Sequence, residues 1–591
     1  MKPTRLIEYS INRLRRKLRP DVFILILAVV IGILTGISSF LLRTLVYGFG
    51  GFVEKFSATS QMDYLYLIAP GVGIYLTWIL FKYILKEESK HGIPRILFVI
   101  SRLNANTKYH KAFSSMLGGA LTAGFGGSVG LESPIISSGA SYGSGIGQVL
   151  GLDYKTKTLL IGCGAAGAMA SIFTTPIAAI VFALEVLMLD LTTASIVPLL
   201  VSSATGAITA KILTSEELLF AFHDHSPFDV NNLPAYVIFG IIGGAVSLYF
   251  TSMHFKIARW FGKITLKRNK LMIGTLLLGI LIFFFPALYS EGYEMIRHIM
   301  YGHPELILSQ SFFFNYKDNI YIFSLYIILI ILLKIIATTI TIEAGGIGGI
   351  FAPTAVTGGL LGFLFARLSN FFIPNSHLDE RNFSLVGMSA LLAAVLHAPL
   401  TAIFLVVEMT NGYGLIVPIM LTTAIAFVTN RSFNSHSIFT KQLAEEGNLI
   451  THHKDKTVLT LLQVNHVIDR DLMTIEPRKT LLDLTVLISK SKRNIFPVVD
   501  KENNYYGLVD MDDIRQVMFN PGLYGLPIEK YMIQSKEHVS THDTMESVMA
   551  KFKKTGYYNL PVVDRGKYVG FVSRANIFTA YREMLNRLSD H

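Results

Sequence analysis

Up to about Phe439 the chain alternates long apolar stretches with short polar breaks, and then its character changes. Val22 to Leu42, Leu271 to Ser290 and Met409 to Asn430 contain no Asp, Glu, Lys or Arg. Each is close to the roughly 20 mainly apolar residues that a helix needs to cross a bilayer. Several more such stretches lie between them. The pattern predicts a bundle of membrane helices of uneven length, some broken at Gly and Pro, with non-helical backbone only where protein or water covers it. From Lys441 to Lys456 the chain turns polar, so a boundary is expected near residue 440, followed by a linker over 441–463.

Both parts repeat internally. Gly130, Pro134 and Gly139 recur 219 residues later as Gly349, Pro353 and Gly358. TTPIAAIVFALE, ending at Glu185, reappears as HAPLTAIFLVVE, ending at Glu408, at an offset of 223. Two matches in the same order point to a duplication of roughly 200 residues, with halves at about 21–212 and 234–440. Transporters use such halves to build a site at mid-membrane. Beyond the boundary, Met473 with IFPVVDKENNYYGLVDMDDI (Ile495 to Ile514) is echoed by Met532 with NLPVVDRGKYVGFVSRANI (Asn559 to Ile577). Each copy reads as helix, buried strand, turn, second strand and helix start.

Composition narrows the class. At 51% hydrophobic, 16% charged and a mean hydropathy of +0.48, the chain is too apolar for an ordinary soluble enzyme. The net charge of +11 is uneven. The first 20 residues carry Lys2, Arg5, Arg13, Arg15, Arg16, Lys17 and Arg19 against Glu8 alone, which makes 1–20 a basic segment expected on the cytoplasmic side. Because this charge abuts a membrane segment, lipid is a better partner for it than nucleic acid. Val22 to Leu42 is too long for a signal-peptide core and has no small-residue cleavage site after it. The single cysteine, Cys163, lies in an apolar stretch and reads as a packing residue. No ligand cluster suggests a metal.

The candidate chemistry lies in Ala112 to Leu152, 41 residues with eleven glycines and one charge, Glu132. A lone carboxylate there is costly unless donors or water reach it, so it marks a functional site. GGSVGLESP supplies donors, because Gly-rich backbone entering a helix leaves N–H groups without internal acceptors. With the helix dipole they form an anion site that can hold Glu132 itself or a free anion. The bland alternatives are that Glu132 merely caps a helix and that the later GGIGGIFAP is only a tight helix approach.

These motifs carry a resemblance. GLESP (Gly130 to Pro134) resembles the gating-glutamate motif of the CLC chloride-transport family, GGIGGIFAP (Gly345 to Pro353) its second-half signature and KHGIP (Lys90 to Pro94) its first helix-start motif. They occur in family order, and the resemblance covers nearly the whole chain. It implies a mainly α-helical polytopic membrane protein of two pseudo-symmetric halves and a small α/β tail. It further implies a homodimer with one anion pathway per subunit, chloride as the ligand, and no enzymatic activity. The expected location is a bacterial inner (plasma) membrane with the tail cytoplasmic. Glu132 would be the gate. The anion would be held by Gly349, Ile350, Phe351 and Ala352 in the centre, by His91, Gly92 and Ile93 from the opposite helix start, and by Gly130 and Leu131 at the gate helix.

Three positions depart from the family pattern. His91 stands where many members have Ser; its imidazole either donates to the anion or turns away. Ser435 occupies the place of the inner tyrosine. Val186 stands where proton-coupled members have a relay glutamate, and valine carries no proton. Glu185 and Glu408 are expected to bond neighbouring backbone. The departures favour a passive gated chloride channel over a Cl⁻/H⁺ exchanger with a non-standard proton path. A membrane sensor, with the membrane part as mere anchor, is the rival from another class. The tail resembles tandem CBS domains at 464–523 and 524–582, followed by 583–591. That implies an adenine-nucleotide site with Asp513 as ribose acid, Asn576 in its place in the second unit, Ser573 at the hydroxyl position and Asp510 as its counterpart. Nucleotide binding and pure dimer scaffolding both remain open.

Overall fold

The computed structural model describes residues 18–60, 65–86, 92–188, 193–214, 228–374, 376–445, 462–491, 493–534 and 537–589. His91, residues 1–17 of the basic segment and 446–461 of the expected linker lie outside the described residues. The chain divides into two compact units at Leu449/Ile450.

In the first unit, the first half runs α1 (Pro20–Ser60), α2 (Leu65–Ile79), α3 (Ile93–Arg102), α4 (Lys111–Gly124), α5 (Glu132–Val149), α6 (Tyr154–Phe173), α7 (Pro176–Glu185) and α8 (Thr193–Thr214). The second runs α9 (Leu233–Gly262), α10 (Lys267–Phe284), α11 (Tyr293–Met300), α12 (Ile320–Glu343), α13 (Phe351–Phe372), α14 (Glu380–Leu396), α15 (Pro399–Thr410), α16 (Ile416–Arg431) and α17 (Ile438–Glu445). Among the described residues, eight helices are long and apolar enough to cross a membrane; α7 and α15 are shorter apolar helices. Of the three charge-free stretches, Val22 to Leu42 lies wholly within α1. Leu271 to Ser290 stops being α-helical at Phe284, just before Pro286. Met409 to Asn430 is two helices, because Asn411 adopts a left-handed conformation (φ 53°) and ends α15.

The duplication is visible in matched local chemistry. Asp153 caps α6 by accepting from the Thr156 N–H, and Asp379 caps α14 by accepting from the Arg381 and Asn382 N–H groups. At their far ends Thr174 (φ 58°) and His397 (φ 55°) turn left-handed, and Pro176 and Pro399 then restart the chain as α7 and α15. A side chain on Gly139 would meet the Gly164 carbonyl oxygen at 2.1 Å, and one on Gly358 would meet that of Gly387 at 2.2 Å. So α5 packs on α6, and α13 on α14, almost backbone to backbone. Cys163 is fully buried in α6.

In the second unit, α18 (Leu481–Lys490), β2 (Ile495–Val499), β3 (Tyr505–Asp510) and α19 (Met511–Ile514) are echoed by α20 (Met545–Thr555), β4 (Asn559–Asp564), β5 (Lys567–Ser573) and α21 (Arg574–Ser589). Both hairpins are antiparallel and slip register at the same place, Val498/Val499 and Val562/Val563. A preceding strand β1 (Ile468–Asp469) pairs with β5, so the chain entering the tail completes the sheet of the later copy. The copies join through their turns: the Tyr505 N–H donates to Gly566 O at 3.0 Å, and the Tyr568 N–H to Asn503 O at 2.9 Å.

Candidate functional site

The loops entering α5 and α13 are tied together by two reciprocal hydrogen bonds. The Gly130 N–H donates to Gly349 O at 2.9 Å, and the Gly349 N–H to Gly130 O at 2.8 Å. The start of α3 joins them. A side chain on Gly92 would meet Ser133 Oγ at 2.7 Å, one on Gly349 would meet Ser133 Cβ at 2.8 Å, and the Gly92 N–H donates to Ser137 Oγ at 3.2 Å. Three helix N-termini therefore converge around Ser133, and their aligned dipoles make the place attractive to an anion.

Glu132, the first residue of α5, is 1% exposed at this junction. Its side chain folds back over Gly130, so that Oε2 lies 2.0 Å from where a Gly130 Cβ would stand. Oε1 accepts the Tyr293 hydroxyl at 2.9 Å. The N–H groups of Glu132 itself and of Ala352 act on the carboxylate, yet Oε2 is buried without a properly aligned hydrogen bond. A buried carboxylate oxygen left unsatisfied is poorly anchored compared with one fully bonded. From Tyr293 a run of rings continues through Phe173 to Phe351, with centroids 6.4 Å (Phe173 to Tyr293) and 5.7 Å (Phe173 to Phe351) apart.

The N–H groups of the expected anion-holding set differ in what they bond. Gly130 and Gly349 spend theirs on each other, Gly92 on Ser137, and Leu131 on Glu291 Oε1 at 3.1 Å. Among the described residues, Ile93, Ile350 and Phe351 donate to no protein acceptor, and the Ala352 N–H faces Glu132. His91 lies outside the described residues. Ser435 is exposed, in the bend before α17, which packs on α3.

Val186 caps the end of α7 and is buried, 5% exposed. Beside it, Glu185 accepts from the Leu400 N–H (3.1 Å), the Thr401 N–H (2.8 Å) and the Thr401 hydroxyl (2.7 Å). Its counterpart Glu408 accepts from the Ile177 and Ala178 N–H groups at 3.1 and 2.8 Å. Each carboxylate thus caps the restarted helix of the other half in a two-fold exchange.

Sequence reasoning passed over Tyr293, Glu291, Lys334 and Ser133. The isolation that singled out Glu132 applies equally to Lys334, a lone cation inside apolar α12 and fully buried. In the tail, Asp510 accepts from the Asp512 N–H at 3.0 Å and Ser573 from the Asn576 N–H at 3.0 Å, so the matched pair caps α19 and starts α21. Asp513 is exposed.

Positive helix ends gathered around one carboxylate, inside a bundle of apolar helices, give a membrane protein a buried place that attracts anions. The chain matches the family of voltage gated chloride channels over residues 72–431 and the CBS domain over 464–520 and 528–583. It belongs to the CLC family of chloride channels and transporters, carries paired CBS domains, and is an integral membrane protein of anion transport, not an enzyme. It is 27% identical over 387 residues to a ClcB-like chloride channel protein of Ralstonia nicotianae, covering 64% of this chain and 85% of that one. It is 28% identical over 426 residues to the H(+)/Cl(-) exchange transporter ClcA of Salmonella typhi, covering 70% and 86%. A slow cyanobacterial Cl-/H+ antiporter shares the fold with a TM-score of 0.62 at 23% identity, over 73% of this chain and 98% of that one.

Proposed function

We propose that the protein is a passive, gated chloride channel with one pathway in each subunit of a homodimer. Glu132 is the gate, and the N–H groups of Ile93, Ile350, Phe351 and Ala352 are the anion ligands, with Ser435 at the inner end. The observation that carries the reading is the pairing of a loosely anchored Glu132 with Val186 and Glu185. Val186 holds no proton, and the nearest carboxylate, Glu185, is committed to three donors on the other half. A carboxylate bonded on both oxygens is slow to give up its partners.

The second reading is Cl⁻/H⁺ exchange by an unusual internal path, favoured by the printed name of the Salmonella typhi relative. Reconstituted protein in a fixed chloride gradient separates them. A channel keeps its reversal potential when a pH gradient is added, whereas a shift matching a fixed Cl⁻/H⁺ ratio establishes exchange. The same proteoliposomes test the sensor alternative, since an anchor gives no chloride efflux.

The bilayer is taken to be a bacterial inner (plasma) membrane, with the N-terminus and tail cytoplasmic. For the tail, the proposed ligand is an adenine nucleotide near Asp510, Asp513, Ser573 and Asn576. Titration calorimetry of the full chain with ATP, ADP and AMP is expected to show heat for at least one of them, lost in Asp513→Ala. Silence with all three assigns the tail to scaffolding.

A further inference from the structure

The loop between α10 and α11 docks on the gate loop residue by residue. The Tyr289 ring fills the space beside Gly126, where a side chain would meet it at 2.0 Å, and the Ser290 N–H donates to Gly126 O at 3.3 Å. Glu291 Oε1 accepts from the Leu131 N–H at 3.1 Å, and Tyr293 reaches Glu132 itself at 2.9 Å. Ser290 pays for this path with a left-handed backbone (φ 53°), uncommon for a residue with a side chain, and Gly292 follows at φ 92°. From behind, the buried Lys334 ammonium donates to Ser290 O at 3.0 Å and Leu288 O at 3.3 Å and acts electrostatically on Glu291. A side chain on Gly292 would meet Lys334 Nζ at 3.1 Å, so the glycine admits the lysine. Arg43 of α1, which also donates to Ile172 O, completes the charges around Glu291; the others are Lys334 of α12, Glu132 of α5 and the Tyr293 hydroxyl of α11.

We propose that Ser290–Tyr293, pinned by Lys334, is a latch on the gate: Tyr293 holds the seated Glu132 carboxylate, while Glu291 occupies the Leu131 N–H and sets a second carboxyl group beside the gate. The inference rests on reading Glu132 as the gate. Tyr293 and Glu291 are positioning residues whose effects have opposite signs. Without its hydroxyl donor the carboxylate leaves its seat more readily. Without the acidic group of Glu291 beside it the Glu132 carboxylate ionises more readily, so stronger acid is needed to protonate and release it.

The test is chloride efflux from proteoliposomes as a function of pH, using the full chain carrying Tyr293→Phe or Glu291→Gln, each alone and with Glu132→Gln. Tyr293→Phe is expected to raise flux at neutral pH about fivefold, the worth of one hydrogen bond. Glu291→Gln keeps an acceptor for Leu131 and is expected to move the midpoint of acid activation about one unit lower. Both are expected to be silent in Glu132→Gln. A misfolded variant only loses flux, so a gain and a shifted midpoint do not come from damage. If neither substitution moves flux or midpoint while Glu132→Gln abolishes acid activation, the latch is wrong and the gate stands. If acid activation survives in Glu132→Gln, the gate reading falls and the latch with it.

Discussion

Glutamine at position 132 is expected to hold the pathway open from acid to alkaline pH. The substitution keeps the size of the side chain and an acceptor for the Tyr293 hydroxyl but removes the charge that competes at the starts of α5 and α13. Its amide group also turns donors toward the N–H groups of Ala352 and of residue 132 itself, which repels it from the seat. In the wild-type protein acid does the same by protonation, so flux is expected to rise as pH falls and to fall as pH rises. A gate seated 90 to 99% of the time gains on the order of 10- to 100-fold when freed. Glu132→Gln should therefore show that gain at neutral pH together with a flat pH profile in chloride efflux. A variant whose flux equals wild type and still climbs with acid removes Glu132 from the gate.

How far the site could be read from the chain depended on whether a feature was local. Glu132 stood out because eleven glycines and no other charge surround it. The paired offsets pointed to Gly130 and Gly349, and the tail hairpins were plain from Pro-Val-Val and the glycine of each second strand. What one chain of letters does not disclose is which N–H groups are already spent. The resemblance offered Gly130 and Gly349 as anion ligands; in the structure their N–H groups bond one another across 219 residues of sequence. Likewise the partners of Glu185 are 215 and 216 residues away. Tyr293 reaches Glu132 from 161 residues along the chain, in a stretch with no motif of its own. Burial turns such distant pairs into requirements, since an unpaired polar group inside the bundle costs about 1–3 kcal/mol.

Alanine at position 130 is expected to open the gate without touching Glu132. The added methyl would lie 2.0 Å from Glu132 Oε2, the free end of a flexible side chain, and 3.0 Å from Ala352 Cβ. Gly130 is not in the left-handed region, so alanine fits its backbone, and the N–H bonded to Gly349 is kept. The carboxylate is what gives way. Flux at neutral pH should rise on the order of tenfold, less than in Glu132→Gln because the displaced carboxylate stays charged nearby, with much of the acid activation lost. Gly349→Ala is the control across the pseudo-symmetry. There the methyl would strike Ser133 Cβ at 2.8 Å and the Ser133 nitrogen at 3.3 Å, packed atoms of α5 with no gate to displace, so loss of flux is expected. Efflux measured on the two proteins side by side decides it: equal losses in both would mean that Gly130 is only a packing glycine and that the carboxylate is not seated over it.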